Sequence, residues 1–354
     1  MLSIYQIMKK QFRVRALLAS LLLCATATSS LFANPSQDSD TTKTETAPKA
    51  AFFGVLKTRA EIDLDNKNAR FSVRNTRVGV KGSLNTTVSY QLQTELSSNG
   101  TFNILDLYST IQLSPGLTIT VGQAGLPIYN SYTVSPGSLM FANRPFLGKY
   151  NTGSREIGAT AKYKTAISEF PISFEAGIYN GGKINNPLWT RNPSYAGRIT
   201  LGDDKGFRFS AKAYRYPLSE LEDYRIWATD LRYEARDWKV EAEWMSKFNY
   251  ADQRELSTYY IQGGYAIPCH VRTLFDHIIP AVRWDAMGYD VLSEGFQVNR
   301  LTLGFGLGLT QKYFSSILRL DYELYNIPEE DRLTAFFPGE DFTDKLTLEL
   351  LLIF

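Results

Sequence analysis

The sequence predicts an all-β fold: a transmembrane antiparallel β-barrel of 16 strands with an inward-folded third extracellular loop. Three observations lead there. Apolar and polar residues alternate with period two in segment after segment, as strands with one oily and one wet face require. No segment beyond the N-terminal leader has the uninterrupted apolar length of a membrane helix. Tight and long connections alternate along the chain, the organisation of outer-membrane barrels.

Residues 1–33 read as a signal peptide, with Lys9, Lys10, Arg13 and Arg15 ahead of an apolar run from Ala16 and small residues after it. Cleavage is expected after Ala33, with Ala27 as the alternative; lipid attachment at Cys24 is disfavoured because Leu23 stands where a small residue is needed. Removing the leader leaves Cys269 as the one cysteine, so no intramolecular disulfide staples the fold. The leader takes four of the 38 basic residues, leaving 34 against 36 acidic, formally −2, which excludes a generally basic nucleic-acid binder. Residues 34–50 are polar and lack aromatics, a flexible tether. The barrel then occupies 51–354 as one domain.

The strands follow in order. In "GVLKTRAEIDL", Leu56, Ala60, Ile62 and Leu64 oppose Lys57, Arg59, Glu61 and Asp63. The second segment is out of phase with itself, Phe71 and Val73 against Val78 and Val80, which places a bulge near Asn75. In the third, Val88, Tyr90, Leu92 and Leu96 oppose Gln91, Gln93 and Glu95. Trp238, Val240, Ala242 and Trp244 oppose Lys239, Glu241 and Glu243, and Leu318, Leu320, Tyr322 and Leu324 oppose Arg319, Asp321 and Glu323. Turns after even-numbered segments are tight ("NTT", "SPG", "GDDKG", "ARD"), whereas those after odd-numbered ones include 124–154, 181–193, 287–297 and 326–342. Aromatics such as Tyr163, Tyr195, Trp227, Trp238 and Trp284 fall on or beside the oily faces, as interfacial girdles do. A propeller or sandwich is the soluble alternative, and it needs no aromatic flanks.

The last segment, "KLTLELLLIF", puts Leu346, Leu348, Leu350, Leu352 and Phe354 on one face. An open edge is prohibitively costly in hydrocarbon, so this strand must pair with the first and close the ring. A terminal Phe354 after alternating apolar residues also resembles the signal that Gram-negative barrels present to their insertion machinery. The oily faces then meet outer-membrane lipid, and the charged faces enclose a lumen too wide for side chains to fill. Residues 124–154 form the longest loop. They carry too much Leu, Phe, Tyr and Pro for disorder and are expected to fold inward as a constriction, with Arg144, Lys149 and Arg155 as its basic residues. The inferred inward wall mixes Lys57, Arg59, Lys162, Arg198, Arg208, Lys212, Lys239 and Arg283 with Glu61, Glu95, Asp106, Glu175, Glu241, Glu243 and Asp285. Pairing between facing strands outweighs transport as the expected role for most of them.

"RNTRVGVKGSLNTTVSYQLQTEL", "GLTITVGQAGLPI", "FANRP" and "SREIGATAKY" resemble the phosphate-selective porin O and P family, and "IIPAVRWDAMGYD" and "SSILRLDYELY" resemble its late strands. The resemblance implies a trimer of sixteen-stranded barrels whose third loop narrows each pore, with basic residues drawing small anions and solutes through. On those motifs Arg74 and Arg77 fall in the family's basic early strand, Arg144 at its loop-three arginine and Arg155 at its late-loop arginine. Asn143 departs from the acidic residue expected in "FANRP", and the chain lacks the basic excess that phosphate selectivity suggests.

Two other classes compete. An outer-membrane enzyme would need a nucleophile and a base; after the leader the chain offers only His270 and His277 as histidines, and Cys269 beside His270 is neither a metal-ligand pattern nor a triad. A sugar-specific pore would show a lumenal aromatic stripe, for which Tyr108, Tyr214 and Tyr260 are scattered candidates. No cofactor and no metal are expected: Gly304, Gly306 and Gly308 alternate with apolar residues as wall positions do, not as a phosphate-binding loop does.

Overall fold

The computed structural model describes residues 48–96, 100–130, 135–182, 184–271, 274–328, 333, 336–340 and 342–354. The expected signal peptide 1–33 and the expected tether 34–50 as far as residue 47 lie outside them; Lys49 and Ala50, expected in the tether, belong to the first strand. The strands are β1 (Lys49–Asp63), β2 (Asn68–Val73 continued by Thr76–Ser83), β3 (Val88–Leu96), β4 (Phe102–Ser114), β5 (Leu117–Gly125), β6 (Arg155–Ile167), β7 (Phe170–Tyr179) and β8 (Ser194–Gly202). They continue as β9 (Gly206–Pro217), β10 (Asp223–Glu234), β11 (Trp238–Asn249), β12 (Arg254–Tyr265 continued by Ile267–Val271), β13 (Phe275–Tyr289), β14 (Val298–Gly308), β15 (Ile317–Asn326) and β16 (Lys345–Ile353). Each pairs antiparallel with the next, and β16 returns to β1 with Ile353 opposite Val55 and Lys345 opposite Asp63. Sixteen strands, among the described residues, close one ring.

The two interrupted strands have local causes. β1 pairs with both parts of β2: Thr58 lies opposite Val73 and Val55 opposite Arg77, so β2 carries an extra residue between them. Asn75 absorbs it at φ 54°, a left-handed conformation that asparagine tolerates. The bulge expected from the phase slip is there. β12 is likewise a single strand, since both of its parts pair with β13.

Burial follows the alternation and inverts a soluble core. On β16 Glu349 is 0 % exposed while its neighbour Leu348 is 45 % exposed; on β14 Thr302 is 0 % and Leu303 46 %. The apolar faces point out and the charged faces in, as a lipid solvent demands. Aromatic pairs mark both rims of the outer band: Trp238 against Tyr265 (4.5 Å) at the short-turn end, Trp284 against Phe296 (5.9 Å) at the long-loop end. At the seam Gly54 N donates to Phe354 O (2.8 Å) and Phe354 N to Gly54 O (3.2 Å). A Cβ on Gly54 would lie 2.3 Å from the Phe354 ring, so the ring packs directly over the glycine backbone and would have to shift for any larger residue.

The described residues of the long loop after β5, 126–130 and 135–154, lie within the ring and include a 3-10 turn, Pro136–Ser138, and a single-turn helix α1 (Leu147–Tyr150). It packs in two apolar groups. Leu126, Ile128, Tyr129 and Leu147 meet Tyr179, Tyr214, Tyr224 and Met245 on the wall. Phe146 joins Met287, Val298 and three residues of the loop after β15, Leu333, Phe337 and Phe342.

Candidate functional site: a lumen narrowed by the loop after β5

A loop inside a barrel takes its peptide groups out of bulk water, so each needs a partner. Here the wall supplies them. Lys239 Nζ donates to Ser138 O (2.9 Å), Arg319 to Leu139 O (2.8 Å), Lys57 Nζ to Ala142 O (3.2 Å), Arg283 to Asn143 O (3.0 Å), Arg300 to Arg144 O (2.8 Å) and Lys247 Nζ to Asn151 O (2.8 Å). In the opposite sense Asp321 accepts from Ala142 N (2.6 Å) and Asp285 from Phe146 N (3.0 Å). Both signs are needed because a backbone offers both donors and acceptors.

The same charges pair with one another. Glu349 accepts from Arg319 (2.5 Å) and lies 3.2 Å from Lys57 Nζ, with Arg59 as a third partner; Arg300 bridges Asp285 (2.6 Å) and Glu323 (2.8 Å). Lysine and arginine on β1, β11 and β13–β15 are therefore fixed beneath the loop. Lys57, expected to line the pore, faces inward but is 0 % exposed; the loop and Glu349 cover it, and it touches no open lumen. Arg59 is held by Glu349, Asn143 Oδ1 (2.8 Å) and the Ala142 carbonyl and keeps an edge on the vestibule.

The open lumen lies along the rest of the wall. On the long-loop side a vestibule of about 440 Å³ is bounded by seven cations, Arg59, Arg70, Arg74, Arg144, Lys149, Arg300 and Lys345, against three acids, Glu61, Glu323 and Glu340. Towards the short-turn end a chamber of about 600 Å³ is bounded by Arg155, Lys162, Lys164, Arg198 and Arg208 against Asp106, Glu175, Asp203 and Asp204. A third space of about 540 Å³, reaching Lys247 and Asn249 near the long-loop end, shares Ser154 and Arg155 with that chamber, so Arg155 stands at the neck between them.

The remaining expected site residues separate in role. Arg144 is half-buried; burial lowers its pKa, the Glu95 carboxylate opposes that, and Arg155 and Arg59 push the same way as burial. Arg77 is tied to Glu95 (2.7 Å) and Arg155 to Asp106 (2.6 Å), which gathers Arg77, Arg144 and Arg155 around two carboxylates at the narrowing. Arg74 and Lys162 keep 36 % and 35 % side-chain exposure beside Glu61 and Glu175. Lys149 does not reach the narrowing: it is 55 % exposed, bonded to Glu340 (2.5 Å) of the loop after β15. Burial would raise the pKa of Glu340, but the hydrogen bonds from Lys149 and Tyr150 outweigh it and hold the carboxyl below its ordinary value.

Sequence reasoning missed Arg70, Arg300 and Lys345 in the vestibule; Arg300 and Lys345 sit near strand starts that follow long loops, and that position was the available signal, whereas Arg70 follows the short turn 64–67. Tyr214 and Tyr260 face inward and are buried in packing rather than arrayed along a path. Asn143 bridges Arg59 and Glu323, donating to the latter at 2.9 Å, so an acid at this position would face Glu323 directly. His277 fills the space opposite Gly308 with its ring 4.7 Å from Tyr313, and Cys269 lies half-buried in the tail of β12. The His270 side chain is outside the described residues.

The family model described as phosphate-selective porin O and P matches residues 50–200, which contain the stretch 70–165 where the resemblance in the sequence is clearest. No curated protein sequence matches. Similar folds among solved structures include the outer membrane channel DcaP of Acinetobacter baumannii, 12 % identical with TM-score 0.61 over 88 % of this chain and 99 % of that one. The anion-selective porin from Comamonas acidovorans is 12 % identical with TM-score 0.60 over 87 % and 100 %. The trimer form of OmpT from Vibrio cholerae is 10 % identical with TM-score 0.57 over 87 % and 100 %.

Proposed function

We propose that this chain is an outer-membrane porin of Gram-negative cells, allowing passive diffusion of small hydrophilic solutes and ions with a preference for anions. The observation that carries the reading is a closed ring, apolar outside and charged inside, with a loop packed across one side of its lumen and open space left along the other. The match of residues 50–200 to the phosphate-selective porin O and P family supports it. Seven cations against three acids at the vestibule give that mouth a positive field, which a low-dielectric wall strengthens. In this reading Arg70, Arg74 and Arg144 concentrate anions, and Arg77 and Arg155 hold the narrowing. Lys162 lines the way out.

The chain acts as a channel rather than an enzyme, and a homotrimer is the assembly we infer, since a fold relative from Vibrio cholerae is described in trimer form. Residues 1–33 would direct export, and Phe354 would engage the insertion machinery. Reversal potentials across a planar bilayer with unequal potassium chloride, repeated with phosphate, test the reading. Steady conductance with anion preference is expected; absence of conductance overturns the porin, and cation preference overturns the vestibule's role.

A further inference from the structure

The outward face of β6 to β11 departs from the rest of the oily belt. One row across the sheet, Ala161, Ala176, Gly197 and Ala213, consists of small residues in direct register on four successive strands. Beside that row bulky side chains stand up, Tyr163 and Phe174 towards the short-turn end and Trp227 at its far side, so the small residues floor an apolar groove of about 810 Å³. Hydrocarbon cannot leave such a hollow empty, because unfilled space forfeits dispersion contacts.

Two residues further along the same strands, on the same outward face and at the long-loop end, Arg215 lies directly opposite Arg225. Like charges in register destabilise a sheet unless something answers them. Arg215 has Asp223 as a partner and stacks on Tyr250 (4.7 Å). Arg225 is exposed and makes no ion pair among the described residues; its guanidinium lies over Phe248 (5.2 Å) and Tyr250 (5.9 Å). Aromatic faces fix the two guanidiniums in place, Asp223 answers the charge of Arg215, and Arg225 keeps its charge open to an anion, which is a geometry suited to a phosphate. The cation pair and the groove are independent features, and they lie about 7 Å apart along the strand.

We propose that this face is a lipid site: Arg215 and Arg225 hold the phosphate of an outer-leaflet lipid whose headgroup bears phosphate, and one acyl chain of that lipid lies over Ala161, Ala176, Gly197 and Ala213. It rests on the outer-membrane reading, which sets the long-loop end outside, and adds a bound partner to it. The position suits both parts, since an arginine near the interface is cheap while one at the midplane is not. The row of small residues lets a chain approach the sheet closely, as it lets helices approach one another in membranes.

Native mass spectrometry of the full protein in detergent, titrated with bis-phosphorylated lipid A, tests it, with diacylglycerol and inorganic phosphate as separate arms. Replacing both cations (Arg215→Gln with Arg225→Gln) is expected to weaken lipid A binding about tenfold or more, and filling the groove by Gly197→Leu to weaken it comparably. Diacylglycerol should bind poorly, and millimolar inorganic phosphate should not displace lipid A. Unchanged lipid A binding by the double variant, equal binding of diacylglycerol, or displacement by phosphate overturns the site. Dissociation of the assembly by Gly197→Leu would assign the face to a subunit contact and overturn it as well. Planar-bilayer conductance of the same preparations is expected to stay at the wild-type value, so lipid A binding unchanged in the variants while conductance stays intact would overturn the lipid site alone and leave the channel reading standing.

Discussion

Two parts of one wall carry the same sequence pattern and use it differently. Beneath the loop, on β1 and β13–β15, Lys57, Arg283, Arg300 and Arg319 have side chains at most 4 % exposed and bind loop carbonyls. Along the open side Arg70, Arg74 and Lys162 keep 35–64 % exposure and border water, while Arg198, 21 % exposed, stands between the two sets because it also donates to the Tyr129 carbonyl (3.3 Å) of the loop. Both sets alternate with apolar residues and both are salt-bridged. The difference is what covers them: a loop that turns one set into ligands for its backbone and leaves the other to act on solutes. Arg77 is the exception on the open side, 4 % exposed and tied to Glu95.

The largest way to break the comparison is to remove a covered cation. Arg300→Met removes the closest cation shared by Asp285 and Glu323, leaves them only the longer contacts of Arg283 (3.5 Å and 3.6 Å), and releases the Arg144 carbonyl. Uncompensated buried charge costs about 3–5 kcal/mol, so the thermal unfolding midpoint in detergent should fall clearly. Lys162→Met on the open side, which loses a partly exposed pair with Glu175, should cost about 1 kcal/mol or less. Equal losses would mean the two sides do not differ in the way described.

Next in size is a change of the open side's field. Converting Arg70, Arg74 and Arg144 to Glu changes the vestibule lining from seven cations and three acids to four and six. The chloride-to-potassium permeability ratio should fall about tenfold, equivalent to ~1.4 kcal/mol, and the shift should shrink at high salt as screening grows. A reversal potential that does not move would remove these residues from selectivity.

This contrast explains what could be read in advance. Ring closure, strand number and the bulge at Asn75 were legible because each rests on period-two alternation, a property of neighbouring residues. The division of the wall was not legible, because Lys57 and Lys162 occupy the same kind of alternating position. Only the path of the described loop residues 126–130 and 135–154 across the lumen separates them, and that path is fixed by contacts 80 or more residues apart in sequence, such as Arg59 with Asn143 or Arg319 with Leu139. The partner of Lys149 was hidden for a related reason: α1 carries it to Glu340, which lies on a different loop far away in sequence.

Asn143→Asp sharpens the boundary between the two sides. Asn143 donates to Glu323 (2.9 Å) while accepting from Arg59 (2.8 Å), so an amide satisfies both neighbours and a carboxylate satisfies one. Stability should drop by about 1–2 kcal/mol from the lost donor, read as a lower unfolding midpoint, and Glu323→Gln should restore most of it by supplying a donor where the carboxylate was.

The smallest effect is expected where the loops after β5 and β15 meet in the open. Lys149 Nζ and Tyr150 OH both bond Glu340, at 2.5 Å and 2.9 Å. Because the folded protein holds the Glu340 carboxyl below its ordinary value, the contact is fully present above the unfolded carboxylate range and is lost as pH falls through the depressed value. Open-channel current noise should therefore be flat from neutral pH to the ordinary carboxylate range and rise only below it, as the outer loop loosens over the vestibule. Glu340→Gln should show the raised noise at every pH, at a stability cost of about 1 kcal/mol or less for so exposed a pair. The apolar packing of Phe146, Phe337 and Phe342 remains when the ion pair is gone, so the loop should loosen without leaving. A variant whose noise matches the parent at neutral pH would show that this packing alone holds the two loops together.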